Sequence, residues 1–106
     1  MNNKLKDVLS KLRIGLSEIL QENLEGVYLY GSQARGEARP DSDIDVLIVL
    51  KGTFDYGEML DLSIDLVADL SLKYDVVISR TFVSKERYQR EMNPFYMNVR
   101  REAVPV

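Results

Sequence analysis

The stretch "YGSQARGEARPDSDIDVLIVL", residues 30–50, decides how this chain folds. Its second half, "IDVLIVL" (44–50), is apolar on both alternating faces apart from Asp45, the pattern of a central strand covered on both sides. Asp43 and Asp45 stand at the mouth of that strand, and two residues apart they leave it on the same face. Ten residues upstream, Gly31-Ser32 leaves the short β-branched and aromatic run "VYLY" (27–30), which reads as a strand of its own. Between them, Ser32 to Arg35 has room for a turn or two of helix, broken by Gly36 and then Pro40.

Working outward, Leu5, Val8, Leu9, Leu12, Leu16, Ile19, Leu20 and Leu24 recur at three- and four-residue spacing. That predicts an amphipathic helix over about residues 3–24, with Gly26 as its stop. Downstream, Asp55 with Glu58 three residues later resembles a capping box opening a helix over about 56–73, with an apolar stripe of Leu60, Ile64, Val67 and Leu70. "DVVIS" (75–79) reads as a third strand. Ser84 is placed to cap a helix running to about Met92, and Asn93-Pro94 supplies a cap and an N1 proline for a last short helix. The expected fold is α/β (α+β), a small mixed β-sheet with helices packed on it, in the order α-β-α-β-α-β-α-α and in one domain, 1–106.

Composition narrows the chemistry. The 106 residues contain no cysteine and no histidine, which removes disulfides, thiolate sites and imidazole bases together. Any reaction must use carboxylates, hydroxyls, Lys, Arg and bound ions. No apolar run approaches the ~18 residues that span a bilayer, and the charged start "MNNKLKDVLSKLR" is no signal peptide, so no membrane association and a cytoplasmic location are expected. The formal charge is −3, with 8 basic against 14 acidic residues over 1–79 and 6 against 3 over 80–106. That balance argues against direct nucleic-acid binding, and most of the C-terminal charge reads as a solvated face.

Two carboxylates this close repel, and leaving them unpartnered in a strand costs several kcal/mol each. A cation beside them is required. Arg35 and Arg39 are candidates for one of the two, and hard oxygen ligands of this kind suit Mg²⁺ or Mn²⁺. Gly31 allows close backbone approach, and Ser32 adds a hydroxyl donor for a phosphate. Taken singly, a strand-end Asp pair facing water and a tight Gly-Ser turn are the plainer readings. Asp75, opening the third strand, could reach the same end of the sheet as a third ligand and general base, with Asp65 as its rival. Asp61, Asp65 and Asp69 otherwise read as the wet face of the long helix, and Tyr28 and Tyr30 as packing residues. Three carboxylates, two metal ions and a phosphate cradle would suit in-line displacement at phosphorus.

The spacing Gly-Ser, ten residues, Asp-x-Asp resembles the signature of the DNA polymerase β-like nucleotidyltransferases. "GSQARGEARPDSDIDVLIV" and "NPFYMNVRREAV" are similar to its small-protein branch, the minimal nucleotidyltransferase (MNT) domains, although that branch often has a glycine at the position of Ala103. The resemblance implies the nucleotidyltransferase fold, ATP as substrate and two Mg²⁺ ions. It implies Gly31 and Ser32 at the β/γ phosphates, Arg35 or Arg39 at the triphosphate or balancing the acids, Asp43 and Asp45 on both ions, and Asp75 on the catalytic one. It further implies an MntA-type antitoxin that moves AMP onto a tyrosine of a HEPN-domain toxin, usually an RNase, in a possible hetero-oligomer. A non-catalytic antitoxin acting by contact, and nucleotidyl transfer to a small molecule, are the alternatives.

Overall fold

The computed structural model describes residues 2–37, 39 and 42–106, so the break expected at Pro40 lies outside the described residues. In chain order the elements are α1 (Asn3–Leu20), β1 (Leu24–Tyr30), α2 (Gly31–Arg35), β2 (Ile44–Leu50), α3 (Tyr56–Tyr74), β3 (Ile78–Ser84), α4 (Lys85–Arg90), α5 (Pro94–Glu102) and β4 (Val104–Pro105). The sheet runs β3-β2-β1-β4. β1 pairs antiparallel with β2 and with β4, whereas β2 and β3 are parallel, joined through α3 as parallel neighbours require. The mixed sheet expected from sequence is therefore present, and among the described residues no helix is long and apolar enough to cross a membrane.

Helices cover both faces. On one, Leu5, Val8, Leu12 and Leu16 of α1 and Val67 and Leu70 of α3 close over Val27, Leu29, Val46 and Ile48 of the sheet. On the other, Tyr96 and Val99 of α5 cover Leu47, Val49 and Val83, with Tyr28, Tyr30 and Tyr88 packed at the margin. β2 is buried from both sides, as its apolar run predicted. The alternation along it also sorts function from core. Even-numbered residues go to the α1/α3 layer and Asp45 goes to the α4/α5 side with Leu47 and Val49.

Helix starts follow local chemistry. Asp55 accepts from the Glu58 N–H at 2.9 Å, Ser84 from Arg87 at 3.3 Å and Asn93 from Tyr96 at 3.0 Å. Each satisfies an orphan donor of a first turn. Asn93→Ala is expected to lower stability by about 1 kcal/mol, or about 4 °C in thermal unfolding followed by circular dichroism. An unchanged midpoint would show that Pro94 alone suffices to start α5.

Several expectations shift. α1 ends at Leu20 and a 3₁₀ turn over Gln21–Asn23 follows, so Leu24 belongs to β1 and Gly26 lies inside that strand. The β1–β2 register slips between Leu24 and Gly26, the irregularity that a strand glycine tends to mark. On α3, Ser63 is 1% exposed while Ile64 is 54% exposed, so the stripe turns through Ser63 rather than Ile64. The cause is Arg80 on β3. Its Nε donates to Ser63 Oγ at 2.8 Å and its Nη2 to the Leu60 carbonyl at 3.2 Å, which needs a hydroxyl at that contact.

The third strand is Ile78–Ser84, not 75–79. Asp75 instead terminates α3 in the left-handed conformation (φ 53, ψ 55), and its N–H and that of Val76 both donate to the Ser71 carbonyl. Aspartate is among the residues that tolerate this conformation, so its place is a helix cap. β4, two residues paired with Tyr28 and Leu29, had no counterpart in the expected order.

Candidate active site

β1 and β2 bring the two halves of the quoted stretch together. Antiparallel pairing sets Tyr30 opposite Asp45, so Gly31, the next residue, turns beside the Asp45 side chain. Gly31 has φ +75, and a Cβ built there would lie 2.5 Å from Asp45 Oδ2. The carboxylate therefore rests against bare backbone. That is the physical reason for glycine here: a side chain would need both the rare conformation and the space. Ser32 follows within α2, a helix closed by Gly36 in the left-handed conformation.

Asp43 is exposed and lies one residue ahead of β2, while Asp45 is half-buried. Burial raises the Asp45 carboxyl above its ordinary value, the charge of Asp43 raises it further, and Arg35 acts the other way. Arg35 itself is held elsewhere. Its Nε lies 3.1 Å from Glu37 and its Nη1 3.2 Å from Glu102 of α5, so its part at the acids is to balance charge from a distance. Arg39 lines a cavity of about 120 Å³ on the α1 flank, with Lys4, Gln33, Ser42 and Val76 among its neighbours. Among the described residues neither acid is in an ion pair, and the two, with one oxygen over open backbone, have the donor chemistry for a divalent cation with phosphate oxygens as its remaining ligands.

Asp75 closes α3 ahead of the third strand. It is exposed, and the β2–β3 register carried one step back puts Val77, not Asp75, abreast of Asp43. Among the described residues, no group of three or more acidic side chains is arranged to hold a metal ion. Asp61, Asp65 and Asp69 lie exposed along α3, as a wet face should.

Tyr30 takes the packing place its sequence suggested. It packs edge-on against Phe95 at 5.6 Å. Its phenol is raised in pKa by burial, with a hydrogen bond to Thr81 acting the other way and the Asp45 charge adding to the rise. Tyr30 is on β1 opposite Asp45 of β2, so its ring and the carboxylate leave the sheet on the same face. The signal was available in the alternation that puts Tyr30 and Asp45 on one face, but it needed the strand pairing to be read.

The family described as "Polymerase beta, Nucleotidyltransferase" matches residues 15–92, a span that includes Gly31, Ser32, Asp43 and Asp45. The chain belongs to this family. This nucleotidyltransferase is 41% identical over 80 residues to a Methanocaldococcus jannaschii protein designated a protein adenylyltransferase, with 74% of each chain covered. Among solved structures it is similar to a minimal nucleotidyltransferase at 29% identity and a TM-score of 0.58, over 96% of this chain and 95% of that one. It is also similar to a toxin–antitoxin crystallised with AMP-PNP, with a TM-score of 0.63 over 98% of this chain and 72% of that one. At 19% identity the latter likeness speaks for the fold. The helices and mixed sheet described above are the minimal nucleotidyltransferase architecture, and the chain is an enzyme of nucleotidyl transfer.

Proposed function

We propose that this nucleotidyltransferase moves AMP from ATP onto a tyrosine of a HEPN-family toxin and so acts as its antitoxin in the cytoplasm. The single observation that carries the reading is the contact of the Asp45 carboxylate with the bare Gly31 backbone, with Asp43 two residues away. That contact brings the Gly-Ser turn, read here as the phosphate cradle, and the two carboxylates to one end of one sheet. A relative designated a protein adenylyltransferase supports a protein acceptor, and likeness to a toxin–antitoxin supports the kind of partner.

In this reading the Gly31 backbone and the Ser32 hydroxyl hold the β and γ phosphates, and Arg39 adds positive charge from the α1 flank. Asp43 and Asp45 hold Mg²⁺. When bound, the ion neutralises charge on the phosphates and polarises the bond to the departing pyrophosphate. The acceptor tyrosine oxygen bonds to the α-phosphorus, the bond from that phosphorus to the bridging oxygen breaks, pyrophosphate leaves, and the tyrosine proton passes to solvent. The chain's contribution is position and charge.

Incubation with ATP, Mg²⁺ and a HEPN-family protein as the proposed partner is expected to add one or more AMP masses to a tyrosine of that protein, read by intact-mass and fragment spectrometry. An unmodified partner, under conditions where ATP binds, would sink the proposal.

A further inference from the structure

Resting on that reading of the site, we infer that its β3 flank is built of hydroxyls rather than a carboxylate, and that the site takes one divalent ion with the nucleotide instead of two. The parallel register sets Asp45 beside Ser79 and Leu47 beside Thr81. Leu47 and Val83 both face the α4/α5 side, so the β3 residues sharing the face of Asp45 are Ser79, Thr81 and Val83. None of them is ionisable. The acid expected from this part of the chain, Asp75, lies at the C-terminus of α3, ahead of the paired strand and exposed.

Tyr30 stands opposite Asp45 on the neighbouring strand with Phe95 edge-on against its ring, so an aromatic side chain rather than an acid borders Asp45 on the β1 side as well. Two carboxylates with phosphate oxygens and water can complete the shell of one hard ion. A second ion would lie about 3.5–4 Å from the first. On the β3 side it would meet neutral oxygens while facing the repulsion of its neighbour. With no carboxylate on that flank, the acceptor proton has no protein base on β3 and leaves to water.

The test counts ions rather than turnover. Mn²⁺ is titrated into the full chain with a saturating non-hydrolysable ATP analogue, and bound metal is counted by electron paramagnetic resonance beside the nucleotide count from calorimetry. One Mn²⁺ per bound nucleotide is expected in the parent protein. Thr81→Asp, which supplies the missing charge, is expected to raise that to two while nucleotide uptake persists. Two ions in the parent would overturn the inference and leave the proposed function standing, most directly if Asp75→Asn lowered the count to one. A folded Thr81→Asp variant that still held one ion would overturn the place of Thr81. The parent count stands even if that variant does not fold. Absence of nucleotide uptake in the parent would overturn the proposed function itself, and this inference with it.

Discussion

Asp43→Ala with Asp45→Ala lowers AMP transfer by at least about 10²–10³-fold, the order expected when preorganised charge at a phosphoryl site is removed. The same double variant should be at least as stable as the parent in metal-free buffer, and this second result distinguishes a functional pair from a structural one. Burial and the neighbouring Asp43 raise the Asp45 pKa on folding. A group so shifted binds its proton more tightly in the folded state, so it favours folding at low pH, and that contribution is lost as pH rises through the folded value. At neutral pH the ionised Asp45 therefore works against the fold. Thermal unfolding without metal should place the variant's midpoint at or above the parent's at pH 7, with the gap closing as the pH falls toward the carboxylate range. Mg²⁺ with ATP should then raise the parent's midpoint and leave the variant's unmoved. A variant that lost stability without metal would mean that the acids hold the strand end together. A variant that still protected cells from the proposed toxin partner would instead favour neutralisation by contact, the alternative to the proposed catalytic role.

Gly31→Ala produces the second large effect, and by a different route. The left-handed region costs an L-residue about 1–2 kcal/mol, and the added Cβ would fall 2.5 Å from Asp45 Oδ2 at φ +75. Either the turn or the carboxylate must move. A displacement of about 1 Å at a reacting centre is enough to lower turnover by about 10²-fold. Thermal unfolding and AMP transfer should both fall, and nucleotide binding should weaken with them because the backbone that meets the phosphates has shifted. An alanine variant with the parent's midpoint and rate would show that Asp45 can swing clear, and that its contact with Gly31 does not set the site.

The helix caps were legible because a cap is a local bargain. Asp55, Ser84 and Asn93 each satisfy an N–H three residues ahead, and no distant contact alters that. β2 was equally plain, since seven residues with one charge among them can only be a strand covered on both sides. The carboxylate pair and the Gly-Ser turn could be named from spacing alone. The sheet brings them together as that spacing implied, through the pairing of Tyr30 with Asp45.

Other features depended on partners far away in the chain. Ser63 takes the buried place of Ile64 because Arg80, seventeen residues later, needs its hydroxyl. "DVVIS" looks like a strand, but α3 runs on to Tyr74 and uses Asp75 to close its last turn, which moves the paired strand down to Ile78. Val104–Pro105 forms a strand because β1 offers it an open edge.

Hydrogen bonds and apolar periodicity that close within a few residues are written into the chain, so elements, caps and the Gly-Ser and Asp-x-Asp chemistry can be read there. Which face a polar side chain shares with a neighbouring strand is set by register between segments tens of residues apart. For that reason the placing of Ser79 and Thr81 on the face of Asp45, and of Asp75 at the end of α3, came to light in the packed sheet.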